Sequence, residues 1–211
     1  MKGLLIKDYY ILRQSIKSML FILVVWSLVF LGGRKTGMFM FIMVAGINVL
    51  NLFSYDRQTK WETYVLTLPV PRWKMVLEKY FYAVCISTFF GLIAVAVVAA
   101  AAAVKGMAMG PEFLLELLMN WLTGIVISFF YNSFSIPLTY WLGVEKARLI
   151  PSVLIAAAVF LFVAFASAYG SGFTVSEGTA AIAIAAGALG TVIMMVLSYF
   201  ISVRIYKKKE F

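Results

Sequence analysis

The chain has 211 residues, of which 64% are hydrophobic and only 13% charged, against about a quarter charged in an ordinary soluble domain. It carries a formal net charge of +9, no histidine and the single cysteine Cys85. That composition excludes a soluble domain, an internal disulfide, a metal site built on Cys or His, and any histidine-dependent nucleophile.

The expected fold is an all-α polytopic membrane protein forming one transmembrane domain over 1–211. In chain order, residues 1–16 read as an interfacial helix. Leu5, Tyr9, Leu12 and Ile16 recur on one face with Arg13 and Lys17 to the side, while Ile6 and Tyr10 lie outside the stripe. A transmembrane helix needs about 20 mostly apolar residues. Six stretches qualify: 17–33, 37–54, 80–104, 113–135, 149–168 and 179–204. The first ends in Gly32-Gly33-Arg34-Lys35 without a small-residue cleavage site, so it reads as a retained helix and not as a signal peptide. The same residues fail as a phosphate loop, because Arg34 stands where the glycine before the lysine is required. Pro111 with Glu112, and Pro151, suit the first turns of the fourth and fifth spans. Cys85 reads as a small core hydrophobe.

Between the second and third spans lies DRQTKWETYVLTLPVPRWKMVLEKY, Asp56 to Tyr80. Asp56, Arg57 and Lys60 close the second span. Trp61, Tyr64, Val65 and Leu68 then fall on one face of a short helix, and Pro69 and Pro71 stop it. Two readings stay open on the residues alone: a rigid lever for a cytosolic partner, or an interfacial helix anchored by Trp and Lys.

Orientation follows from Lys and Arg. With the N-terminus inside, the inner segments hold 15 of the 18 cations and the outer loops only Arg34, Lys35 and Lys105. This places both termini in the cytoplasm. The net charge is thus explained by topology and lipid, and no nucleic-acid partner is expected. No acid sits at the centre of a span. Glu112 and Glu116 form an i, i+4 pair near the outer end of the fourth helix, read either as an acidic mouth on a substrate path or as a solvated interfacial pair. Asn120, Asn132, Asn48 and Asn51 either line that path or hydrogen-bond neighbouring helices.

Asp56, Trp61-Glu62, Leu68-Pro69-Val70-Pro71-Arg72 and Lys79-Tyr80 together resemble the corresponding segment of ABC-2-type exporter permeases. The likeness is to the compact six-span permeases of bacterial phenol-soluble-modulin and antimicrobial-peptide exporters. Pro71 stands where that family often has serine. The resemblance implies a permease in a bacterial plasma membrane, paired with a second copy and with two copies of a separate P-loop ATPase that binds the ATP and Mg. This chain itself would hold no cofactor and catalyse nothing. Residues 56–72 would form the coupling helix, with Asp56, Arg57, Trp61, Glu62, Tyr64, Leu68, Pro69 and Arg72 as its working residues. The cargo would be amphipathic peptide, with hydrophobic drugs or lipids as the next choice. Outside the exporter class stand a membrane anchor that recruits a cytosolic partner without transport, an ion-coupled carrier disfavoured by the missing central acids, and an intramembrane enzyme disfavoured by the missing histidines.

Overall fold

The computed structural model describes residues 3, 6–11, 13, 16–17, 21–22, 24–25, 37–65, 67, 70–106, 110–153, 157 and 177–208, and among them every regular element is helical. The helices are α1 (Gly37–Gln58), α2 (Trp61–Val65), α3 (Arg72–Val104), α4 (Pro111–Leu142) and α5 (Glu177–Lys208). The described residues of 3–25 are also helical, as are 144–153. Most of the expected first and fifth spans and the 169–178 loop lie outside the described residues.

Among the described residues, three helices are long and apolar enough to cross a bilayer: α3, α4, and α5 from Ala185 onward. The helices run further than the expected spans. α3 starts at Arg72, so the residues expected to lead into the third span form its first two turns. Pro71 precedes it in an extended conformation, which suits a residue that cannot continue a helix backward. α4 has Pro111 at its first position, where the missing N–H costs nothing, and it continues through Pro137 to Leu142.

Pro137 has a local consequence that reaches another helix. A proline cannot donate to the carbonyl four residues earlier, here that of Ser133. In a bilayer such an acceptor needs a partner from protein. Ser198 of α5 supplies it, its hydroxyl donating to the Ser133 carbonyl at 2.5 Å. The Tyr80 hydroxyl of α3 joins Ser198 at 2.6 Å and Ser202 at 2.9 Å, so one buried chain of hydroxyls fastens α3, α4 and α5. Higher in the bundle, Ser87 of α3 meets Ser128 of α4 at 2.7 Å. Ser198→Ala strands the Ser133 carbonyl and is expected to lower stability by about 1 kcal/mol, read as an earlier unfolding midpoint in detergent.

α4 is the central helix, with α1 and α5 packed along it and α3 touching all three. The apolar core gathers Ile42, Val49 and Phe53 of α1, Val76, Ala83 and Phe90 of α3, and Ile136 and Tyr140 of α4. Gly46 lets α1 approach α4, because a Cβ there would collide with the Ser128 hydroxyl. Cys85 departs from its expected place. It lies exposed on the outer face of α3, since the nearby positions Ala83 and Ile86 take the inward register.

Candidate functional site

The end of the bundle that carries Arg72, Lys207 and Lys208 also holds five charged side chains packed together. Asp56 comes from the last turn of α1, Glu78 and Lys79 from the second turn of α3, and Lys7 and Asp8 from the N-terminal helical stretch. The Lys7 ammonium lies 2.6 Å from Asp56 Oδ1 and 3.1 Å from Asp8 Oδ1. The Lys79 ammonium lies 2.7 Å from Asp56 Oδ2, 3.5 Å from Asp8 Oδ1 and 3.7 Å from Glu78 Oε1. Asp8 is 1% exposed, Asp56 and Glu78 3%, and Lys79 5%. Charges taken this far from water persist only when paired. Three carboxyl groups face two ammonium groups, and Asp8 Oδ2 and Glu78 Oε1 have no hydrogen-bond partner among the described residues.

The cluster is also tied to α2. Lys7 sits 4.6 Å from the centre of the Trp61 ring, a cation–π contact. A cavity of about 20 Å³ lies where α2 meets the bundle, lined by Phe53, Asp56, Trp61, Val65, Glu78 and Lys79 among others. Thus the N-terminal stretch, the end of α1, α2 and the start of α3 meet at one point.

α2 hangs on a sharp turn. Lys60 takes a positive φ of 52°, a conformation that L residues adopt at a cost, and its carbonyl accepts from Thr63 N and Tyr64 N to start the helix. Trp61 and Val65, one turn apart, face the bundle, and Val65 is fully buried. Tyr64 turns the other way and is 58% exposed, although its ring still lies 5.5 Å from that of Trp61. Between the end of α1 and residues 144–149, Arg57, Gln58, Glu145 and Arg148 border an open groove of about 790 Å³. Gly143 closes α4 there with φ 87°, and a Cβ on it would lie 3.0 Å from Arg57 Nη1.

The residues expected to carry coupling therefore divide. Tyr64 and Arg57 face outward, and Trp61 is half-buried between Tyr64 and Lys7. Asp56, expected at the partner-facing surface, is instead an internal member of the ion cluster, because two lysines draw its carboxylate inward. Arg72 also turns inward: its Nη1 donates to the carbonyls of Tyr206 at 3.3 Å and Lys207 at 2.8 Å, closing the carbonyl end of α5. The Glu62 side chain, Leu68 and Pro69 lie outside the described residues.

The four substrate-path residues do not form one site. Glu112 and Glu116 are exposed on the first turns of α4, and Asn120 donates to the Glu116 carbonyl of its own helix at 2.9 Å. Asn48 donates to the Val44 carbonyl and accepts from Asn51, which in turn accepts from Arg148 at 3.0 Å. Gly46, two residues from Asn48, packs on Ser128, about 18 Å along α4 from Glu116.

Lys7, Asp8 and Glu78 are not among the site residues expected from the sequence, and Lys79 enters there only through the Lys79-Tyr80 of the family resemblance. The signal present was two adjacent opposite-charge pairs, Lys7-Asp8 and Glu78-Lys79, each flanked by apolar or aromatic residues. Nothing in the order of residues says that the pairs meet Asp56.

No curated protein and no solved structure matches the chain. The profile of the ABC-2 family transporter proteins matches residues 3–207, nearly its whole length. With apolar helices long enough to cross a bilayer, a bundle fastened internally by hydroxyls, and that match, the chain belongs to the ABC-2 family of membrane permeases.

Proposed function

We propose that this protein is the membrane subunit of an ATP-driven exporter, working as a pair of identical permeases with a separate P-loop ATPase. α2 and the groove at the end of α1 form the docking face, with Tyr64 and Arg57 as the contacts and Trp61 as the link inward. The ion cluster is the joint that passes motion of α2 to the N-terminal helix, α1 and α3. One observation carries this reading: Lys7 binds the Trp61 face and the Asp56 carboxylate at once, so the docking helix is tied to the bundle through buried charge. ATP and Mg belong on the partner, six spans enclose the path, both termini face the cytoplasm of a bacterium, and amphipathic peptide is the cargo. The apolar outer faces of α3 and α5 accord with such a cargo.

Co-purification with the ATPase, together with ATP-dependent export from inverted vesicles, tests the proposal. Tyr64→Ala and Arg57→Ala alter exposed side chains, so each should leave the unfolding midpoint within about 0.5 kcal/mol of the parent. Their combination is expected to lower ATPase recovery about tenfold or more, because aromatic and arginine side chains dominate protein interfaces. Full recovery and full export in the double variant would overturn the docking face. An ATPase recovered in full without ATP-dependent cargo movement in the parent would replace the exporter by a membrane anchor.

A further inference from the structure

α3 and α5 enclose a second groove, of about 510 Å³, which opens sideways on the outer face of the bundle. Its walls are two helical stripes. On α3 the stripe is Leu77, Phe81 and Val84; on α5 it is Val192, Val196 and Phe200, each one turn apart. The α5 stripe spans about 12 Å at 1.5 Å per residue. Phe129 of α4 lies at the back.

Both stripes end in a cation at the same end of the bundle. Lys74 precedes Leu77 by one turn, and Arg204 follows Phe200 by one turn. That these ends coincide is fixed by Tyr199, whose hydroxyl lies 3.5 Å from the Trp73 carbonyl, and by Arg72 on the last carbonyls of α5. Exposed Lys207 and Lys208 continue the basic rim. The Lys74 ammonium lies 5.4 Å from the Trp73 ring, and Trp73 is exposed at the level where amphipathic rings meet headgroups. Among the described residues neither Lys74 nor Arg204 meets a carboxylate.

We propose that this groove is a binding site for one anionic phospholipid, its phosphate held between Lys74 and Arg204 and an acyl chain lying along Phe81, Val84, Val196 and Phe200. Charge decides the occupant. A second copy seated here by twofold symmetry would bring the same patch against itself, setting Lys74 and Arg204 opposite their own duplicates. A phosphate neutralises them, and an acyl chain matches apolar walls that offer no polar partner. The site needs only that the helices cross a bilayer, so failure of the ATPase docking face would leave it standing.

The test uses the full chain in lipid nanodiscs, with phospholipid retained after mild detergent extraction counted by native mass spectrometry. Phosphatidylglycerol is offered against phosphatidylcholine. The parent is expected to retain phosphatidylglycerol preferentially. K74Q/R204Q, which changes only groups at the rim, should reduce that preference by about fivefold per cation removed while phosphatidylcholine retention is unchanged. V196W, which fills the groove and leaves the cations, should lose both lipids. An unchanged preference for phosphatidylglycerol in K74Q/R204Q overturns the proposal. So does a V196W protein that keeps its lipid but loses its dimer, which would assign the groove to a second copy.

Discussion

Lys79→Met is expected to lower the stability of the folded chain by about 3–5 kcal/mol, the range for removing one partner of a buried ion pair. The Lys79 ammonium lies within 4 Å of Asp56, Asp8 and Glu78. Without it, the three buried acids face Lys7 alone. The cost comes from the anions left behind, not from the lost attraction, and a second substitution separates the two. Asp56→Leu on top of Lys79→Met removes the acid that Lys79 holds most closely and replaces a desolvated anion by apolar volume. The double variant should therefore be more stable than Lys79→Met alone, since apolar replacement of a whole buried pair is often neutral. SDS-unfolding titration in mixed micelles reads both. A double variant less stable than Lys79→Met would show that the charges of the cluster do not compensate one another.

The second large effect is expected at Gly46. Replacement by alanine puts a methyl group into the Ser128 hydroxyl, with the Asn132 amide 3.1 Å away, so α1 and α4 must separate. Overpacking of this kind costs about 1–3 kcal/mol. The strain also bears on the Ser87–Ser128 hydrogen bond, which shares the displaced hydroxyl. Gly190→Ala is the matched comparison. A Cβ there meets nothing within 4 Å, so the usual helical gain of alanine over glycine, about 0.5–1 kcal/mol, should appear unopposed. Opposite signs in the same unfolding assay would establish close approach as the reason for Gly46. A neutral Gly46→Ala would mean that the two helices can part without loss.

Both predictions concern residues with no distinction in the amino-acid order. Gly46 sits in an apolar run like other glycines of the chain, and what sets it apart is a hydroxyl 82 positions away. Pro137 is visible as a break in a helical pattern, yet the helix continues because Ser198 supplies the missing partner to Ser133. The fourth span expected from the sequence ends at residue 135, two residues short of that proline. Tyr64 shows the same limit on a smaller scale. Its spacing from Trp61 and Val65 allows all three on one face, but the bundle can receive only Trp61 and Val65, and Tyr64 is left outside.

What the sequence by itself determined is the membrane class, the apolar stretches that became α3, α4 and α5, and the location of a short helix between two longer ones. These depend on transfer of apolar surface from water and on proline stereochemistry, and both can be summed over a local window. The inward turn of Asp56 and Arg72, the union of Lys7, Asp8, Glu78 and Lys79, and the separation of Asn48 from Glu116 were decided only by the tertiary structure. A buried charge is stable only beside a counter-charge within a few ångströms. For Asp56 those partners come from residues 7 and 79, brought to it by helix packing that no local window contains.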